Sequence, residues 1–158
     1  MSMKSSALLV TVLIGGACSG DSTPTSPSPP PAVYPNVAGR YTGTVTFSAP
    51  GTTASVCPAE TTVAQTDQSV AIGPIMFSGS CASVDAIRLG NTTISTTGSL
   101  PTATASGLMF PVCSGTFTAI ADGGFSGNTF QFSLVHTAVS GDCVTQRPTF
   151  TIAGTLTR

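Results

Sequence analysis

The sequence predicts an all-β domain, a single antiparallel up-and-down meander of seven or eight strands closed into a barrel, with a β-sandwich as the alternative. Three observations lead there. A four-residue phrase recurs as GTVT at 43–46, GTFT at 115–118 and GTLT at 154–157, each alternating threonine with an apolar residue. That period of two is the mark of a strand with one wet face. Charged residues make up 7% of the chain, and threonine and serine take their place. Threonine is β-branched, so it suits a pleated surface while facing water without charge. Finally, no stretch shows convincing helical spacing, and proline and glycine interrupt every window long enough for a stable helix.

The strands follow in order. The first, 40–48, places Tyr41, Val45 and Phe47 on one face and Thr42, Thr44 and Thr46 on the other. Segments 61–65 and 69–77 read as a hairpin joined near Thr66-Asp67-Gln68, and 86–89 with 92–97 supplies what comes next. Segment 115–121 turns at Gly123-Gly124 or Gly127-Asn128 and returns as 130–135, where Phe130, Phe132 and Leu134 share a face. After the loop 138–148, the last strand, 149–157, aligns Phe150, Ile152 and Leu156. Sequential hairpins avoid exposed edges by closing, which requires the first and last strands to pair. The opening Gly39-Arg40-Tyr41 resembles the Gly-x-Trp opening of lipocalin-like barrels, with tyrosine standing for tryptophan, and the resemblance implies a barrel.

Topology also pairs the cysteines. Cys57 stands just before the strand 61–65 and Cys81 just after 69–77, so a hairpin brings them to the same end of the sheet. The loop 138–148 likewise carries Cys143 back beside Cys113. The expected bridges are Cys57–Cys81 and Cys113–Cys143, in an exported compartment where disulfides persist. No two cysteines have the C-x2-4-C spacing of a zinc loop, so no metal site is expected.

The fifth cysteine, Cys18, has a different context. Lys4 provides a positive start, residues 7–14 an apolar core, and Gly15, Gly16 and Ala17 a small-residue stretch that a peptidase accommodates. Eight residues rise only about 12 Å as a helix, far short of a bilayer's roughly 30 Å hydrocarbon core. The stretch Ile14-Gly15-Gly16-Ala17-Cys18 resembles the lipobox of bacterial lipoproteins, although Gly15 stands where leucine is usual. The resemblance implies that Cys18 is lipidated, becomes the first mature residue, and anchors the chain to a membrane of the cell envelope, the outer membrane by preference. Residues 1–17 are then the signal peptide. Residues 18–35, with six of the chain's twelve prolines, form an extended tether reaching up to about 50 Å. Residues 36–158 form the folded domain.

The residues argue against catalysis. Ser126 sits in a Gly124-Phe125-Ser126-Gly127 stretch that lacks the final glycine of a nucleophile elbow, and His136 is the chain's single histidine. Most of the carboxylates fall in expected turns, where local hydrogen bonding favours them. No metal cluster or phosphate loop is present, so neither enzyme activity nor a cofactor is expected. Arg40, Arg88, Arg147 and Arg158 are scattered rather than patched, which makes nucleic acid an unsuitable partner. The expected function is therefore that of a membrane-anchored envelope lipoprotein. In one form it encloses a small apolar ligand, with Tyr41, Phe47, Phe117, Phe130, Phe132, His136 and Phe150 lining the barrel interior. In the other it is a solid-cored module meeting envelope protein or glycan, or inhibiting a cell-wall hydrolase, through its surface. His136 continues the parity of Phe130, Phe132 and Leu134, so its imidazole is expected to turn inward with a lowered pKa.

Overall fold

Alternation of threonine with apolar residues is realised as strand across 43–46 and 154–157, whereas the phrase at 115–118 enters its strand only at Phe117, two residues later than expected. The computed structural model describes residues 28–108, 113–146 and 148–158. The chain divides into two units, Met1–Pro31 and Ala32–Arg158. Of the first, only residues 28–31 are described, and they are exposed without regular structure. The expected signal peptide, residues 1–17, and the expected lipidation site, Cys18, lie outside the described residues.

The described residues of the second unit form nine strands: β1 (Gly39–Ser48), β2 (Ser55–Thr66), β3 (Ser69–Ile72), β4 (Met76–Phe77), β5 (Gly90–Thr93), β6 (Ala103–Leu108), β7 (Phe117–Ser126), β8 (Thr129–Ala138) and β9 (Thr149–Thr157). All pairings are antiparallel, in the order β5-β3-β2-β1-β9-β8-β7-β6, with β4 also on β2. The meander curls into a half-barrel. The first strand closes on the last as expected, Val45 opposite Gly154. The free edges are mid-chain strands, β5 and β6, with a seam between them.

Several strands differ from their expected limits. β2 starts at Ser55 and carries Cys57 within it, opposite Val45, rather than ahead of it. The expected 69–77 strand breaks into β3 and β4, because Pro74 has no amide donor and Gly73 turns in to bond Thr62 O at 2.8 Å. The pairing shifts by one residue across this break, from Val63↔Ile72 to Ala59↔Phe77. The buried Thr61 hydroxyl donates to Gly73 O at 2.9 Å, satisfying a polar group the core would otherwise penalise. β5 occupies only Gly90–Thr93, and Ile87 instead bridges Ile75. Gly123-Gly124 continue β7, and the hairpin turns at Gly127-Asn128, where Gly127 takes φ 57°. β6 was not anticipated: ATASGL offers no apolar alternation. Loop 138–148 holds one helical turn, α1 (Cys143–Gln146), and Cys81 lies in a 3-10 turn, Gly79–Cys81.

Both disulfides form as expected, with Cα–Cα distances of 5.7 Å for Cys57–Cys81 and 5.2 Å for Cys113–Cys143. They lie at the end of the sheet where β1 finishes. The opposite end, where β1 begins, is tied to the chain just ahead of it. Gln65 Nε2 donates to Pro35 O at 2.9 Å, while its Oε1 accepts from Val37 N at 2.7 Å. Tyr34 donates its hydroxyl to Gln68 at 3.1 Å, and Val37 is fully buried. Arg158 completes this end. Its guanidinium donates to Ala38 O at 2.7 Å, Asn36 O at 2.8 Å and Asn128 Oδ1 at 3.1 Å, and stands 6.0 Å from the Tyr41 ring centroid. The compact unit thus takes in Tyr34 and Pro35, where the sequence placed the end of the tether.

Candidate functional site

The barrel interior is the first place to look, because strand parity turns the predicted residues there. Tyr41 and Val45 on β1, Phe117 on β7, Phe130, Phe132, Leu134 and His136 on β8, and Ile152 and Leu156 on β9 are all buried, with Phe47 and Phe150 half-buried. The seven candidate lining residues separate into groups. Tyr41 meets Phe130 edge-on at 6.3 Å, and Phe130 contacts Phe132 at 5.4 Å. Phe125 completes this group, stacked on Phe130 at 4.6 Å. Toward the other end, Phe117 meets Phe150 at 5.5 Å, and His136 stacks on Phe150 at 4.2 Å with the rings parallel to 2°. Phe47 packs against Phe77 at 5.4 Å. Sequence reasoning overlooked Phe125 and Phe77. Phe125 has the parity of Phe117, a signal hidden by treating Gly123-Gly124 as a turn.

Small residues let these rings fill the space. Inward-facing Gly154 lies under Phe132: a Cβ there would sit 2.9 Å from Phe132 Cδ1 and closer still to Cε1 and Cζ. Gly43 on β1 faces the β9 backbone in the same way, where a Cβ would come 2.9 Å from Leu156 Cα. The Tyr41 hydroxyl donates to Val37 O at 2.9 Å, and burial raises its pKa against the opposing charge of Arg158. Burial lowers the pKa of His136, with a backbone hydrogen bond at Leu134 acting the other way. Desolvation disfavours the imidazolium, as the sequence parity implied.

Two concavities among the described residues bear on function. One is an apolar cleft of about 100 Å³ at the seam, bordered by Ile72, Leu89, Leu100, Ala121, Phe132 and Leu134. Ligand pockets usually occupy about 300–1,000 Å³, so this cleft suits only a very small group. Its flanking strands resist addition of another strand: β5 has four residues, and the β6 register shifts between Ala105 and Leu108. Short and irregular edges are how sheets avoid unwanted pairing.

The second concavity is an open groove of about 490 Å³ on the outer face of β7 and β8, beside the loop that follows β5. Gly98 and Gly124 bring that loop against β7. Phe125 N donates to Gly98 O at 2.8 Å, Leu100 N to Gly123 O at 3.0 Å, and Ser99 bridges Gly124. Gly98 holds φ 91°, a conformation that favours glycine. Ser95 organises the rim: its Oγ accepts from Ser99 N at 3.0 Å and Thr97 N at 3.3 Å and lies 2.9 Å from Thr97 Oγ1. Asp122, on the groove's border, accepts from the Thr102 hydroxyl. Among the described residues no group of three or more His, Cys, Asp or Glu is placed to hold a metal ion. No helix among them is long and apolar enough to cross a membrane.

Comparison of the chain with protein-family models, with curated proteins and with solved structures returns no match.

Proposed function

We propose that this chain is an exported lipoprotein, anchored to the outer membrane through lipid on Cys18, whose β domain is a non-enzymatic envelope module acting through its surface. The observation that carries the surface reading is the packing of the interior. Tyr41, Phe125, Phe130 and Phe132 fill it against Gly154, while the larger concavity opens outward. The pairing of the remaining four cysteines with one another supports the lipid assignment, since it leaves Cys18 as the odd cysteine. The proline-rich residues before Ala32 suit a spacer. The seam cleft favours one second reading, a very small apolar ligand held between Leu89, Leu100 and Leu134.

Metabolic labelling with an alkyne fatty acid tests the anchor. Label should appear on the wild-type chain and in the membrane fraction, and Cys18→Ala should lose both; a labelled, membrane-bound Cys18→Ala protein contradicts the proposal. Native mass spectrometry of protein released into non-sugar detergent tests the surface reading. Mass beyond the chain and its own lipid would favour the enclosed-ligand form instead.

A further inference from the structure

We infer that the outer groove on β7 and β8 is a binding site for a neutral saccharide. The inference deepens the proposed surface function and rests on that reading. Three features of the groove argue for it together.

The first is shape. About 490 Å³ is room for a short saccharide, and the concavity faces outward. Glycines 98 and 124 shape it: a Cβ at Gly124 would come 3.1 Å from Gly98 O and 3.3 Å from Ser99 Cα. Glycine within a strand often marks a close approach of another backbone or of a ligand, and here it draws the rim loop down beside the groove.

The second is the chemistry of the walls. Thr97 and Ser99 on the loop, Ser126 on β7 and Ser133 on β8 supply hydroxyls, Gln131 an amide and Asp122 a carboxylate. Hydroxyls both donate and accept, and the amide offers two donors and an acceptor, so the set matches a ligand made of hydroxyls. No basic side chain borders the groove among the described residues, and its single charge is negative. That excludes phosphate and other anions as the favoured ligand and points to a neutral one.

The third is preorganisation. The Ser95 hydroxyl fixes Thr97 and Ser99, Thr102 fixes Asp122, and backbone bonds from Phe125 and Leu100 fasten the loop to β7. Polar groups already held in place lose less freedom when a ligand arrives.

The test is a ¹H–¹⁵N NMR titration of the full mature chain in non-sugar detergent with maltotriose, cellotriose and the N-acetylglucosamine trimer, inorganic phosphate serving as the anionic control. At least one trisaccharide should shift amides of residues 97–99, 122–126 and 131–133, while phosphate should leave them in place. Gln131→Ala and Ser126→Trp alter exposed positions, and each should weaken binding about five- to tenfold with the rest of the spectrum retained. No shift with any of the three sugars, shifts confined elsewhere, an equal response to phosphate, or undiminished binding by both variants each overturns the inference. Fatty-acid labelling on the same protein separates the two claims: loss of sugar binding with Cys18 still labelled removes the groove assignment alone.

Discussion

Replacing Gly43 or Gly154 with alanine probes directly how the half-barrel is filled. In a strand, alanine over glycine is ordinarily favourable by about 0.5–1 kcal/mol, because glycine loses more backbone freedom on folding. Both sites should reverse that sign, to different extents. At Gly154 the new methyl meets the far edge of the Phe132 ring, a side chain that also borders the seam cleft of about 100 Å³ and has somewhere to move. Overpacking costs about 1–3 kcal/mol, and a ring that yields puts Gly154→Ala at the lower end, about 1–2 kcal/mol net. At Gly43 the methyl meets the β9 backbone at Thr155 and Leu156, which no rotamer relieves. Strands β1 and β9 must part there, at the closure of the sheet, so Gly43→Ala should cost about 3 kcal/mol or more. Urea unfolding of both variants measures the difference, with an unchanged m-value showing that the denatured state is not responsible. The Phe132→Leu background isolates the ring: there Gly154→Ala should cost about 1 kcal/mol less, while Gly43→Ala should be unaffected. A stabilised Gly154→Ala protein, or a Gly43→Ala protein no worse than it, refutes the packing described here.

Three further outcomes are expected. Removing either disulfide by paired Cys→Ala changes should destabilise by up to about 3.5 kcal/mol, as the separations of 24 and 30 residues imply for lost loop-closure entropy; urea unfolding reads the loss, and non-reducing peptide maps should show the other bridge intact. His136 has a folded-state pKa below its unfolded value, so its stability cost grows as pH falls from about 6.5 through the folded pKa and is complete below both. An imidazole NMR titration should place that pKa below 6.5, and His136→Leu should flatten this part of the pH dependence; a pKa at or above 6.5 contradicts it. Arg158→Ala loses the solvent-facing bonds to Ala38, Asn36 and Asn128 and should cost about 1 kcal/mol, with faster amide exchange at Val37 and Ala38 as the specific sign.

Much of this molecule was legible because β structure writes a local code. The parity of Tyr41 with Val45, and of Phe130 through His136, turns each side chain to its face whatever the neighbouring strand is. The disulfide pairs followed from which strand ends share an end of the sheet, a short-range consequence of hairpins. What the sequence could not disclose depended on contacts between distant segments. Strand β6 exists because β7 offers ATASGL a partner, not through any pattern of its own. The extension of β7 through Gly123-Gly124 was likewise decided by a neighbouring strand, at Gln131 and Phe132, while at Gly73-Pro74 a local cause, proline's missing donor, acted together with the bond from Gly73 to Thr62. Whether the phenylalanines line a cavity or fill it was open in the sequence, since parity turns a ring inward without saying what lies opposite. Gly154 across from Phe132 decided that, as did the loop from Ser95 to Leu100 for the outer groove. Side-chain direction is a property of one strand, while volume is a property of two facing surfaces, and only the tertiary structure brings those surfaces together.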